Sequence, residues 1–117
     1  MSKEAPITPR SAEAGGVDGA LNAALEFGGP GLVHLNIDER MAIANMAVEA
    51  GADTCVFECD AQTLDYIAKS GWTLGQPVKA DDDATYLEKR VIHLDQLEPL
   101  VAVPPSPANG TKLSQVI

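Results

Sequence analysis

Within ERMAIANMAVEAGAD (39–53), two side chains stand out chemically. Asn45 offers an amide and Glu49 a carboxylate, four residues apart in a run that is otherwise apolar. On an α-helix that spacing sets them only about 40° apart, so one face would carry both. One reading is functional: the amide and the carboxylate line a polar cleft between this segment and something else. The bland alternative is that the two bond each other or a nearby loop and serve packing. A third kind of chemistry rests on Cys55 and Cys59 in TCVFECD, with His34 and His93 on distant segments. Zinc sites favour two or four residues between paired cysteines and need four ligands, so C-x3-C with two remote histidines is a poor set. One buried thiol on a strand and one at its end is the simpler reading.

These residues need elements to hold them. Met41, Ala42 and Val48 flank the polar pair, while Ile43, Ala44, Met46, Ala47 and Ala50 fill the other sides. A helix apolar nearly all round is expected to be buried on most sides. Asp38 is expected to cap it, Glu39 to complement its dipole, and Gly51 to end it in a left-handed conformation. Of the eight Lys and Arg side chains, Arg40 included, none is obviously placed to neutralise Glu49. That directs attention to a partner outside the chain.

TCVFE (54–58) reads as a short buried strand. Asp60 should cap a second helix, AQTLDYIAKS, ended by Gly71. Its stripe of Leu64, Ile67 and Ala68 predicts one apolar face, with Asp65 and Lys69 outward. ALEF (24–27) fits either a helix end or a strand, and Gly28, Gly29, Pro30 and Gly31 stop it. TLGQPVKADDDAT is a loop, RVIHLD (90–95) an alternating strand, and VPPSPANGTKLSQVI extended. Residues 1–13, polar with Pro6 and Pro9, read as a disordered leader, and 14–117 as one domain. Helix, strand, helix, strand in this order is an α/β pattern.

Bulk properties agree with one modest domain of 117 residues. Apolar residues make up 45% and aromatics only 4%, so the core must be small aliphatic side chains. The net charge of −9 argues against nucleic acid and anionic membrane as partners. No apolar run approaches the roughly 20 residues that span a bilayer, and the N-terminus has no secretory signal, so a cytoplasmic location is expected.

Taken together, EFGGPG, then ERMAIANMAVEAGA, then VFECDAQTLDYI, then the acidic turn and LEPLVAVPPSPAN resemble the aconitase family. The likeness runs from Gly16 to the C-terminus. It is strongest to the large-subunit branch that includes 3-isopropylmalate dehydratase and homoaconitase. The resemblance implies an incomplete three-layer α/β/α domain. It implies that Asn45 and Glu49 are active-site residues, the amide supporting a [4Fe–4S] cluster environment and the carboxylate joining the network around an iron-bound hydroxyl or water. The implied reaction is the dehydration and rehydration that isomerises 2- and 3-isopropylmalate in leucine biosynthesis. In it one iron acts as Lewis acid and a separate base takes the proton. The family's cluster cysteines sit in an SCTN-type motif and a C-x2-C pair, both downstream of the matched segment. Cys55 and Cys59 do not match them. The chain is therefore expected to be an internal fragment of a cluster-dependent hydro-lyase, binding no cluster by itself. Its expected partners are the rest of the large subunit, a small swivelling-domain subunit and a small hydroxy acid. Whether it works as an enzyme stays open. The alternatives are a non-enzymatic α/β interaction module or truncated remnant, and a small metal or thiol protein using Cys55 and Cys59.

Overall fold

The computed structural model describes residues 4–8, 20–73, 75–106 and 109–117. Its centre is a strand–helix–strand unit. Strand β2 (Ala24–Phe27) runs into a 3₁₀ turn (Pro30–His34), then helix α1 (Ile37–Met46), a 3₁₀ turn (Ala47–Ala50), and strand β3 (Thr54–Phe57). β2 and β3 are parallel, with Phe27 beside Phe57 in register. That register stacks the two rings, 4.8 Å between centroids and 12° between planes.

The sheet extends on the other side of β2. Strand β1 (Glu4–Thr8) lies antiparallel to β2, and strand β4 (Arg90–His93) lies antiparallel to β1, giving the order β3-β2-β1-β4. The expected disordered leader is thus corrected over residues 4–8, which are an inner strand; its remainder lies outside the described residues. Pro6 hid this strand. Proline has no N–H for a ladder and usually argues against a strand paired on both sides.

Alternation along β2 sends Leu25 and Phe27 to one face, where they are buried. Ala20, Ala47 and Ala50 complete the buried cluster, with Ile43, Cys55, Phe57 and Ile92 packed around it. Backbone bonds fasten the layers: Ala20 N–H to Ala50 O at 2.8 Å and Asp53 N–H to Ala23 O at 2.9 Å. The opposite face of the strands, with Glu26, Thr54 and Val56, is exposed. β3 is therefore half-exposed where a buried strand was expected. Among the described residues it is a sheet edge covered on one face.

Helix α1 does not begin as expected. Asn36, not Asp38, is its cap: Asn36 Oδ1 accepts from Glu39 N–H at 2.9 Å, and Glu39 Oε2 accepts from Asn36 N–H at 2.8 Å. The reciprocal box needs Glu or Gln three residues after the cap, which Asn36 has and Asp38, followed by Met41, lacks. Asp38 instead lies in the first turn with Glu39, complementing the dipole. Gly51 closes the segment with φ of 80°, a left-handed position that its lack of Cβ permits.

Helix α2 (Ala61–Lys69) is capped by Asp60, as expected, which accepts from Thr63 N–H at 3.1 Å. Gly71 follows it with φ of 73°. None of its nine residues is buried. Asp65 and Lys69 pair outward at 2.7 Å, and Leu64 of the expected apolar stripe remains 43% exposed. The C-terminal segment, expected to be extended, folds as a hairpin of β5 (Leu100–Ala102) and β6 (Gly110–Lys112), ending in one helical turn (Leu113–Val116). Leu113 N–H bonds Pro99 O at 2.9 Å, which turns the chain back on itself. No helix among the described residues is long and apolar enough to cross a membrane.

Replacing Asn36 with Ala removes one half of the capping box and should cost about 1 kcal/mol of stability. Asp38→Ala, which removes only a dipole contact, should cost about 0.5 kcal/mol or less. Denaturant melts of the two variants check this order; a larger loss for Asp38→Ala would restore it as the cap.

Candidate functional site

Arg40 sits in the first half of α1 and is 3% exposed. Its guanidinium reaches five acceptors. Nε donates to Leu35 O at 3.0 Å, and Nη2 to Leu32 O at 2.7 Å. Nη1 and Nη2 form a fork to Asp60 Oδ1 and Oδ2 at 2.8 and 2.7 Å. Nη1 also donates to Thr63 Oγ1 at 3.3 Å. A guanidinium has five N–H groups, so each has an acceptor. The network joins the 3₁₀ turn after β2, the body of α1 and the start of α2. Gln62 adds a weaker tie, its side chain donating to Val33 O at 3.0 Å.

The Arg40 fork holds the Asp60 carboxyl at a pKa of about 2, below its ordinary 3.8; bonds from Thr63 and the Arg40 charge act in the same direction, against the smaller opposing effect of burial. Sequence reading found Asp60 as a cap but missed its pairing with Arg40. The available signal was the charge itself: a guanidinium on a helix expected to be mostly buried must find a carboxylate.

Asn45 and Glu49 both lie on the side of the segment away from Arg40, and both are exposed. Neither side chain bonds another group among the described residues. The helix does not continue uniformly between them. From Ala47 it tightens to three residues per turn, which carries Glu49 further round the axis than a continuous α-helix would. The tightening also places Ala47 and Ala50 on the same buried side. Around the polar pair, Met41, Met46 and Val48 are 50%, 58% and 67% exposed. The expected burial of α1 on most sides is therefore corrected: among the described residues one side is covered.

The larger concavity is elsewhere. A cleft of about 830 Å³ opens at the C-terminal ends of β2 and β3, lined by Phe27, Gly28, Phe57, Glu58, Lys79 and Tyr86 among others. Tyr86 donates its hydroxyl to Glu26 Oε2 at 2.9 Å, pinning the 78–89 loop there. Asn45 and Glu49 do not line it. They lie toward the other end of the strands, where the chain re-enters β3.

Cys55 points to the core side of β3 and Cys59 follows its end; both are half-buried and free. Burial pushes the Cys55 thiol above its ordinary pKa, away from the thiolate that a metal would need. Among the described residues no three His, Cys, Asp or Glu side chains converge. A [4Fe–4S] cluster needs several thiolates around one centre, and this donor set does not fit it.

The sequence profile of the aconitase family (aconitate hydratase) matches residues 10–117. The chain belongs to the aconitase family. Among its relatives it is 47% identical to the 3-isopropylmalate dehydratase large subunit 2 of Rubrobacter xylanophilus, over 86% of this chain and 26% of that protein. The 3-isopropylmalate dehydratase large subunits of Acetivibrio thermocellus and Nitratidesulfovibrio vulgaris are 44% and 45% identical, each over 86% of this chain and 24% of the relative. This aconitase-family chain thus spans about a quarter of the length of the curated relatives it matches.

Because the Asp60 pKa is lowered on folding, the pair's contribution is complete above pH 4 and is lost as pH falls from about 4 to about 2. Acid titration followed by circular dichroism should show that loss. Asp60→Asn should flatten it and cost about 3 kcal/mol at neutral pH, since it leaves a buried guanidinium without its counter-charge.

Proposed function

We propose that this chain is the segment of an isopropylmalate-isomerising hydro-lyase large subunit that supplies Asn45 and Glu49 to the active site. The observation carrying this reading is the outward side of α1 and its 3₁₀ extension. An amide and a carboxylate without partners among the described residues stand inside an apolar surround that is itself uncovered. A surface of that kind suits contact with further protein, and the polar pair then becomes part of an enclosed site. The likeness to dehydratase large subunits supports reading that protein as the rest of such a subunit.

In this reading Asn45 orients the substrate-side polar network, and Glu49 accepts a hydrogen bond from the departing hydroxyl or the returning water. Substrates are 2- and 3-isopropylmalate, interconverted by dehydration and rehydration in leucine biosynthesis. The [4Fe–4S] cluster implied for full-length family members supplies Lewis-acid chemistry when bound, and its ligands come from outside these residues. The remaining large subunit completes the three-layer α/β/α domain, a small swivelling-domain subunit closes the site, and the assembly works in the cytoplasm. The 117 residues by themselves are inactive.

A second reading, a non-enzymatic α/β interaction module, draws on the uncovered stripe of α2, where Leu64 stays exposed beside half-buried Ile67. It predicts binding without turnover.

In a complete large subunit carrying this segment, assembled with its small subunit, Glu49→Gln should lower kcat by about a hundredfold or more. Unchanged kcat would remove Glu49 from the chemistry. Anaerobic treatment of the 117-residue chain with iron and sulfide should leave no stable visible absorbance; a stable cluster with isomerase activity would overturn the claim that the segment is inactive alone.

A further inference from the structure

The geometry points to Arg40 as a positioning residue: with Asp60 it sets the rotation of α1 about its own axis, and so the direction in which Asn45 and Glu49 face. The inference rests on the catalytic reading of that pair and adds what aims it.

A helix is held in rotation by whatever grips one side of it. α1 has little apolar grip. Of its ten residues only Arg40 is buried; Ile37, Ile43 and Ala44 are half-buried, Ile43 alone of these edging the core cluster, and Met41, Ala42, Asn45 and Met46 are exposed. Its apolar residues are spread round the axis and give no strong preference for one side. The alanines that do pack, Ala47 and Ala50, belong to the 3₁₀ turn beyond it. Small side chains grip weakly, because rolling the helix changes their buried area little.

Arg40 supplies the missing constraint. Its fork to Asp60 is planar and directional, and its other N–H groups are taken by Leu32 O, Leu35 O and Thr63 Oγ1. Five bonds in one plane tolerate little rotation of the side chain. Asp60 is fixed in turn as the cap of α2. Leu32 is buried, which fixes its carbonyl. At 100° per residue Asn45 lies about 140° round from Arg40, so a locked Arg40 turns Asn45 to the outside. Glu49, three residues into the tightened turn, is carried to the same outward half. Lysine cannot substitute: an ammonium has three donors and no plane, and leaves the position free to roll.

The test uses Arg40→Lys in the 117-residue chain, followed by nuclear magnetic resonance. The Asn45 side-chain amide, the Glu49 carboxyl carbon and the Met46 methyl report the outward side, and the Leu100–Lys112 hairpin is the control. Helix content by circular dichroism should be retained, the three outward signals should shift or broaden, and the hairpin signals should stay in place. Outward signals unmoved in a folded variant whose Thr63 signal has moved would overturn the proposal. If Arg40→Lys does not fold, Thr63→Val, which removes one acceptor, is read the same way. In the complete assembled subunit Arg40→Lys should lower kcat by about tenfold, with KM within about twofold. Loss of activity in Glu49→Gln with none in Arg40→Lys overturns the positioning role and leaves the catalytic reading standing. No loss in either overturns the catalytic reading, and the resonance shifts then decide whether Arg40 sets the rotation.

Discussion

A guanidinium removed from water must be paired, and in this chain the pairing organises everything near it. The Arg40–Asp60 fork, at 2.7 and 2.8 Å, joins a residue of α1 to the cap of α2, across a strand and two turns. Desolvating the two charges offsets much of their attraction, so the pair is a weak source of net stability. Its value is specificity. The observed arrangement of the 3₁₀ turn, α1 and α2 satisfies all five N–H groups, and a shift of any one of them would leave some unpaired. Because Asp60 also caps α2, one carboxylate fixes where that helix starts and which way α1 is turned.

The need for such a device follows from composition. With few aromatics, the buried cluster is one phenylalanine, one leucine and three alanines, edged by half-buried neighbours. Alanines bury little area, and at about 25 cal/mol per Å² they contribute little each. The 3₁₀ turn compensates in part, since three residues per turn brings Ala47 and Ala50 onto one line against the strands. The same turn ends at Gly51, whose left-handed conformation directs the chain into β3. Packing, turn geometry and the ion pair thus act together to hold one side of the segment inward and release the other.

Local signals were legible in the sequence. Asp60 before an amphipathic stripe, Gly51 after an apolar run and the β-branched pattern of RVIH all describe short-range physics, and each element forms where expected. The misses have long-range causes. Asn36 displaced Asp38 because the Glu39 side chain reaches back, a reciprocal bond that single-residue preference ignores. Residues 4–8 are a strand because two distant strands lie on either side of them. The C-terminal hairpin depends on Leu100–Ala102 meeting Gly110–Lys112 across a proline-rich bend. At the candidate site, the types and spacing of Asn45 and Glu49 were legible, but their setting was not. An apolar run implies burial only when something is present to bury it.

That last point bears on how Glu49 could work. A carboxylate open to solvent is stabilised by water and has no reason to favour a reacting group over bulk. It becomes selective when surrounding protein removes that water and leaves the departing hydroxyl as its remaining donor. The exposed methionines and Val48 around it have the character needed for such a cover, being apolar and, for methionine, adaptable to another surface. Among the described residues the Arg40 face is buried and the outward face is uncovered. Under the proposed function the division fits a segment that carries its own alignment and would take its desolvation from neighbouring protein.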